Sequence, residues 1–426
     1  MFCLKDKKIA IWGLGKEGHS LLDFFSKKYP SQKIEILDDE TADKITDFDV
    51  VFKSPGVSLY HPLIQKAKQA GVLISSGVNL YLSLKPKETK VIAITGTKGK
   101  STTSTLLTHT LKFLGKDAEI GGNFGVPAIE FVDKTPEFLI METSSYQAAD
   151  LKGKLDRALV LNLYPEHKNW HLTHEQYFLD KLHILENVSD KTHAFLNAKD
   201  EKTLSLVKDK EGYSFFNSKE GFHIEKGLFM KANQPLFKTS SLALKGDHNQ
   251  IDALAVLALV DSLGLSPSLC EQAFQSFESL PHRMMCILKN EKYCCIDDSI
   301  STIPETALAA LKTLQSLQKQ MVLIAGGFDR GPDFEKLADY LVKEQVFCVA
   351  LPDTGVRLLK ALKEKGGKGI LASDMKEAVS KAFDFLPKGG IILLSPASPS
   401  YNVYKNYEEK GDDFKRQVLE NLSLKK

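Results

Sequence analysis

The run Val91-Ile92-Ala93-Ile94-Thr95-Gly96-Thr97-Lys98-Gly99-Lys100-Ser101-Thr102 carries the strongest chemical signal in the chain. A β-branched apolar stretch reads as a strand, and residues 103–114 after it read as a helix. Gly96 and Gly99 let the backbone turn and bring its N–H groups against an anion, and the helix N-terminus adds its positive dipole end. Lys100 can reach terminal phosphates and Ser101 can hold magnesium, with Thr97 and Thr102 in the same loop. The spacing is G-x-x-G-K-S-T, shorter than the general G-x-x-x-x-G-K-[ST] pattern. An ordinary strand-to-helix turn with a surface lysine is the plainer alternative.

Other polar groups sit where strands end. Glu142-Thr143-Ser144-Ser145-Tyr146-Gln147 follows an expected strand over 138–141. An open α/β sheet presents ligand groups at the carboxyl ends of its strands, and Glu142 with Ser101 could bind magnesium through oxygen. Thr143 or Ser144 as a helix N-cap is the competing reading. His167 and His171 follow a strand expected over 157–163 and could bind metal or substrate. Lys181 lies in an apolar-spaced helix over 177–185, and nothing local separates it from a solvated lysine. Near the N-terminus, Gly13-Leu14-Gly15-Lys16-Glu17-Gly18 matches G-x-G-x-x-G, and Asp38 lies about 20 residues on. That pattern suits either a nicotinamide dinucleotide, hence an oxidoreductase, or another nucleotide. Gly246-Asp247-His248-Asn249, Pro281-His282-Arg283 and Asp297-Asp298-Ser299 are further polar turns, each with a cap or surface-charge alternative.

The elements that must position these groups alternate between strand and helix. With 426 residues the chain has room for two to four domains. Three blocks are expected: 1–88, 89–282 and 283–426. The first has strands over 8–12, 33–37 and 50–53, a helix through Phe25, and a linker over 84–89. The second holds the phosphate loop, a small β-rich excursion over 208–239, and a helix over 250–263. The third has strands over 293–296, 321–325, 346–351 and 391–394, with helices over 304–314 and 334–342. Such alternation argues for parallel α/β sheets in every block. The formal net charge of +2 gives no bulk electrostatic case for nucleic acid or an anionic membrane. No apolar run approaches a membrane span, no signal-peptide pattern opens the chain, and a cytoplasmic protein is expected. The six cysteines form no C-x-x-C pair, so neither disulfides nor zinc are expected.

Taken together, these residues resemble the Mur ligase superfamily of cell-wall synthesis. The matching stretches run in order: 96–102, Gly121-Gly122-Asn123, 142–147, His167, Lys181, His248-Asn249, His282-Arg283, Asp298-Ser299 and Ser395-Pro396-Ala397. The stretch 142–147 is most similar to the branch that joins glutamate to UDP-N-acetylmuramoyl-L-alanine. The resemblance implies three α/β domains: a Rossmann-like N-terminal domain holding UDP, a central P-loop ATPase-type sheet, and a Rossmann-like C-terminal domain for glutamate. It implies ATP and two magnesium ions. Lys100 and Ser101 would hold phosphate and metal, Glu142 and His167 would bind metal, and Lys181 matches a lysine that the family carbamylates. Asn249, Arg283 and Asp298 would contact ATP, the last two arriving from the third domain on closure. Gly15, Lys16, Asp38, Ser54 and Asn123 fall on the sugar-nucleotide side. Thr302, Arg330, Ser400 and Tyr407 fall on the glutamate side. The implied reaction is a ligation through an acyl phosphate, with small-molecule substrates, no nucleic acid or membrane, and a monomeric chain.

The departures from the family pattern are specific. Asp252 stands where an asparagine is usual, Ile300 where a lysine is usual, and Arg330 where a glutamate-binding lysine is common. Residues 165–171 also differ from the usual Asp-His motif. These variants resemble the branch that adds L-glutamate, which is favoured here over D-glutamate.

Overall fold

The computed structural model describes residues 4, 6–244, 246–278, 282–315, 317–329, 331–400 and 403–424. Among the described residues the strands form three sheets. The first is wholly parallel, in the order β2-β1-β3-β4, from β1 (Ile9–Trp12), β2 (Ile34–Leu37), β3 (Val50–Lys53) and β4 (Leu73–Ser75). Both β1 and β3 are buried along their length, as expected when helices cover both faces of a parallel sheet.

The second sheet runs β13-β12-β11-β10-β9-β8-β5-β7-β6. Its strands are β5 (Lys90–Thr95), β6 (Ala118–Gly122), β7 (Phe138–Glu142), β8 (Arg157–Val160), β9 (Ala194–Asn197), β10 (Ser214–Phe216), β11 (Phe222–Glu225), β12 (Leu228–Lys231) and β13 (Gln234–Lys238). Strand β5 pairs in parallel with β7 on one side and β8 on the other, so the phosphate loop after β5 opens between two strand ends. The excursion expected over 208–239 is β-rich, and it lengthens this sheet rather than forming a separate module: β11 adds in parallel to β10, and β12 and β13 follow antiparallel at the edge. Helices Lys100–Phe113 and Asp247–Ser262 pack together on one face. Their contact closes an apolar core of Leu106, Leu107, Leu111, Leu254, Leu257 and Phe274.

The third sheet runs β14-β15-β19-β16-β17-β18, from β14 (Met285–Lys289), β15 (Tyr293–Asp297), β16 (Met321–Gly327), β17 (Phe347–Asp353), β18 (Gly369–Leu371) and β19 (Gly390–Leu394). Only β14 is antiparallel to its neighbour. Amphipathic helices Pro304–Gln315, Glu335–Lys343, Thr354–Glu364 and Met375–Phe385 cover it, giving separate apolar cores on its two faces.

The chain divides into two compact units, Met1–Glu278 and Ser279–Lys426. The first two blocks read from the sequence therefore share one unit. A single core joins Phe25, Phe52 and Tyr81 to Met141, Leu155, Leu163 and Tyr177. The segment expected as a linker over 84–89 does connect helix Gly77–Leu84 to β5, half-buried to exposed over 84–88 and anchored at its end by Thr89. Thr89 is fully buried and donates through Oγ1 to Pro136 O at 2.8 Å, while Lys85 Nζ donates to Thr89 O at 2.5 Å. The described cysteines, Cys270, Cys286, Cys294, Cys295 and Cys348, are free thiols. Among the described residues no helix is long and apolar enough to cross a membrane.

Candidate active site

Strand β5 delivers the chain into the phosphate loop, and helix Lys100–Phe113 leaves it. Gly99 caps that helix at φ +86°, and a methyl group there would sit 2.5 Å from an Asp252 carboxylate oxygen. Only glycine satisfies both the left-handed backbone and the close approach. The loop is tied to the strand on its β8 side: Thr97 N donates to Asn162 O at 2.8 Å and Lys98 N to Asn162 Oδ1 at 2.9 Å. Thr97 Oγ1 lies 3.0 Å from Tyr177 OH. Both Gly96 and Thr97 offer carbonyls to the Lys100 ammonium, at 3.0 and 3.2 Å.

A second ammonium reaches the same loop. Lys181, on helix His174–Leu182, is 2% exposed and donates to Gly96 O at 2.8 Å. Burial, and then the nearby charge of Lys100, hold its pKa well below the ordinary lysine value, against the opposing pull of Glu166 and Glu142. No local feature singles out Lys181; tertiary packing does, through its burial and its bond to Gly96 O.

Glu142 closes β7 and is 2% exposed. Asn123 Nδ2 donates to its Oε1 at 2.6 Å, and its Oε2 is buried with no hydrogen-bond partner. A buried carboxylate oxygen left without a partner is costly, and it fits a hard cation such as magnesium. The capping alternative is realised beside it: Ser144 Oγ and the Gln147 side chain form a capping box on helix Ser145–Ala148. The two readings of this motif therefore occupy adjacent residues. Asn123, expected on the sugar-nucleotide side, has Glu142 as its partner.

His167 adopts φ +52° at the start of a short helix. Its Nδ1 lies 2.9 Å from Tyr146 OH, and although the ring is about half exposed, partial desolvation lowers its pKa, which favours the neutral form that can ligate. His171 does something else. It is fully buried, with Nδ1 2.5 Å from Asp180 Oδ2 and Nε2 2.9 Å from Ser145 Oγ, and Tyr60 OH donates to Asp180 Oδ1 at 2.6 Å. This chain of bonds ties the segment after β3 to the helix bearing Lys181, and the sequence reading missed it. Only Tyr, Asp and His at unrelated positions signal it.

The N-terminal glycine turn is equally tight. A methyl at Gly18 would stand 2.2 Å from Gly13 O, and Ser54 Oγ donates to Gly13 O at 2.5 Å. Gly15 caps helix Lys16–Lys28, and Lys16 Nζ donates to Gly125 O at 2.6 Å. Asp38 is exposed, and its Oδ1 accepts from Thr41 Oγ1 at 2.7 Å and from the amides of Glu40 and Thr41. Those bonds hold its pKa below the usual carboxylate value. Asn249 sits in the first turn of helix Asp247–Ser262, and Ser101 and Thr102 sit in that of helix Lys100–Phe113.

In the C-terminal unit, Asp298 is 2% exposed and accepts from Ser395 Oγ at 2.8 Å and Met284 N at 3.2 Å. Burial pushes its pKa up to about 6, against the stabilising hydrogen bonds and the charge of Arg283. Arg283 Nε is itself buried with no hydrogen-bond partner. Thr302 is half-buried, Ser400 is buried with an unpartnered hydroxyl, and Tyr407 packs edge-on to His282 with ring centres 6.1 Å apart. Arg330 lies outside the described residues. Among the described residues no cluster of three or more His, Cys, Asp or Glu side chains forms a metal site.

Two family models match the chain: the Mur ligase middle domain over residues 94–260, and the Mur ligase glutamate ligase domain over 282–398. A protein of Xylella fastidiosa (strain Temecula1 / ATCC 700964), UDP-N-acetylmuramoyl-L-alanine--L-glutamate ligase, is 33% identical over 96% of this chain and 95% of its own. The chain belongs to the Mur ligase family. Enzymes with the same name from Xanthomonas campestris pv. campestris (strain 8004) and Salinispora tropica are 31% and 29% identical, over 96% and 97% of this chain and 95% and 98% of theirs. Among solved structures, the UDP-N-acetylmuramate-alanine ligase MurC of Thermotoga maritima superimposes with a TM-score of 0.61 at 20% identity, over 99% of this chain and all of that one. The MurF ligase of Thermotoga maritima in complex with ADP gives a TM-score of 0.60 at 15% identity, over 99% of this chain and 100% of that one. Membership of a family of C–N-forming ligases sets aside the oxidoreductase alternative.

Proposed function

We propose that this Mur ligase joins L-glutamate to UDP-N-acetylmuramoyl-L-alanine in an ATP-driven amide synthesis, a step of peptidoglycan precursor formation. The observation that carries the reading is the convergence of Lys100 and Lys181 on Gly96 O, with charge coupling from Lys181 to the buried Glu142. That is an ammonium, a buried lysine amine and a carboxylate at a phosphate loop, groups suited to holding phosphate and metal for phosphoryl transfer to a carboxylate.

In the proposed reaction, Gly96, Thr97, Gly99, Lys100, Ser101 and Thr102 hold the phosphates, with Asn249, Arg283 and Asp298 as further nucleotide contacts. Lys100 neutralises charge as the alanyl carboxylate takes the γ-phosphoryl group and ADP leaves. The glutamate amine then attacks the resulting acyl phosphate, phosphate departs with the C–O electrons, and an amide forms. Ser101, Glu142 and His167 would hold magnesium, with Lys181 as a carbamate serving a second ion. The metal's part is to neutralise the transferring phosphoryl group. Burial that disfavours the charged form of Lys181 favours the neutral amine, which is the form carbon dioxide modifies. Gly15, Lys16, Asp38, Ser54 and Asn123 are assigned to the sugar-nucleotide, and Thr302, Arg330, Ser400 and Tyr407 to glutamate. The reading takes the chain as a cytoplasmic monomer that acts on small molecules without nucleic acid or membrane.

The names of the relatives support L-glutamate, as do Ile300 and Arg330; D-glutamate is the second reading. The test is product formation from ATP, magnesium and UDP-N-acetylmuramoyl-L-alanine with each enantiomer separately. A UDP-dipeptide from L-glutamate alone is expected. Product from D-glutamate alone refutes the stereochemical choice, and product from neither refutes the ligase reading.

A further inference from the structure

The C-terminal unit buries a lysine that the reaction as described leaves unused. Lys410 lies one turn into helix Tyr407–Leu424 and is 1% exposed. Its ammonium donates to Gly326 O at 2.6 Å and lies 5.8 Å from the centre of the Tyr404 ring. Among the described residues no carboxylate pairs with it. Burial alone pulls its pKa down to about 7. A buried ammonium with a single carbonyl partner is a standing cost to the fold, and strained electrostatics of this kind concentrate at functional sites.

The surroundings indicate what would offset that cost. Gly326 and Gly327 end β16 at the carboxyl edge of the parallel sheet, where open α/β folds receive ligands. Thr354 Oγ1 pins Gly327, accepting from its N–H and donating to its carbonyl, both at 2.9 Å. A methyl at Gly327 would stand 3.2 Å from Lys410 Nζ and 2.3 Å from Pro399 O, so the lysine head reaches the backbone just before Ser400. The Ser400 and Ser299 hydroxyls are buried without partners. Gly411 packs directly on His282, Asp297 and Ser299, holding this part of the helix against the same edge. Tyr407 precedes Lys410 by three residues and so shares its helix face. A cation, two unpartnered hydroxyl groups and an aromatic side chain therefore gather at one sheet edge, where the nearby Asp297 carboxylate is engaged by His282 Nδ1 at 2.7 Å rather than by Lys410.

We propose that Lys410 is the cation that receives a carboxylate of the incoming glutamate, beside Ser400 and Tyr407 at the end of β16. This rests on the ligase reading above. The lysine stem is flexible and its head is a point charge, so the ammonium can turn from the Gly326 carbonyl onto an oxyanion. An ion pair with an oxyanion in a desolvated site is then stronger than the ammonium–carbonyl bond it replaces.

The test compares the wild-type enzyme with Lys410→Gln, which keeps a donor for the Gly326 carbonyl and removes the charge. The KM for glutamate should rise about 30-fold, as expected for loss of one partner of a desolvated charge pair. The KM values for ATP and the UDP substrate should stay within about threefold, and Lys410→Arg should restore most of the glutamate affinity. An unchanged glutamate KM, or an equal loss for all three substrates, overturns the proposal. If Lys410→Gln does not fold, wild-type enzyme labelled with 15N-lysine decides the matter. The Nζ signal absent from Lys410→Arg should shift when glutamate is added with the UDP substrate and a non-hydrolysable ATP analogue; no shift overturns the proposal. Wild-type enzyme that forms no product would refute the ligase reading itself, whereas active enzyme with an indifferent Lys410→Gln refutes only this assignment.

Discussion

Two buried lysines, one in each compact unit, do nearly the same thing in stereochemical terms. Lys181 donates to Gly96 O at 2.8 Å and Lys410 donates to Gly326 O at 2.6 Å. Each carbonyl belongs to a glycine turn at the carboxyl end of a parallel strand, and each ammonium is pushed toward neutrality by burial. Their neighbours differ. Lys181 feels Lys100 on one side and Glu142 and Glu166 on the other, as expected where phosphate and metal charges must be balanced. Lys410 has an aromatic ring and hydroxyl groups near it and no carboxylate partner, as expected where the balancing anion is the substrate. In the proposed reaction the same local device would serve phosphoryl transfer in one unit and amino-acid recognition in the other, with the neighbouring charges deciding which.

The sharpest way to break this comparison is to remove the groups that define the phosphate side. Glu142→Ala and Lys181→Met should each lower kcat by about 10^3-fold or more, with the KM for glutamate nearly unchanged. Steady-state kinetics with all three substrates check this. A rise in the glutamate KM in either variant would dissolve the distinction from Lys410→Gln.

The next effect concerns stability. Lys53 is also buried, at 1% exposure, but it has a carboxylate, Asp150, at 3.5 Å. Removing one member of a buried pair strands the other, so Lys53→Met should destabilise the protein by about 3 kcal/mol. Lys410→Met leaves no charge stranded and should cost much less. Urea unfolding at pH 7 measures both; equal losses would show that pairing does not distinguish these lysines.

A pH effect of similar size separates the acid of the C-terminal unit. Asp298 has a folded-state pKa raised to about 6, so between its unfolded value and about 6 the native state holds the extra proton. Its contribution to stability is therefore present at low pH and is lost as pH rises through that window. Asp298→Asn removes the slope. The variant should match wild type near pH 4 and exceed it above pH 6 by about 3 kcal/mol. Calorimetry across that range tests the sign; a variant less stable at pH 7 contradicts it.

The parallel sheets were legible because strand and helix periodicities alternate with glycine turns, and the strand over 50–53 falls where expected. The helix expected over 103–114 begins earlier, at Lys100, because its first turn is the phosphate loop itself. Helix Gly77–Leu84 carries no polar face, with a buried run from Gly77 to Leu82, so no 3.6-residue pattern marked it. Of the site, Glu142 and the loop were visible because strand ends and glycine spacing are local signals. Lys181, the His171–Asp180–Tyr60 chain and Lys410 were not readable from local chemistry, since their burial depends on residues far away in sequence. Only family resemblance drew attention to Lys181, and Lys410 emerged from the structure alone.

The central claim is that an alanyl carboxylate is activated by phosphoryl transfer at the Lys100–Lys181–Glu142 cluster. The direct test is to supply UDP-N-acetylmuramoyl-L-alanine with 18O in its terminal carboxylate, together with ATP, magnesium and L-glutamate, and analyse the released phosphate by mass spectrometry. One 18O atom per phosphate is expected, carried over from the carboxylate through the acyl phosphate. Unlabelled phosphate, with amide product still formed, would contradict the account.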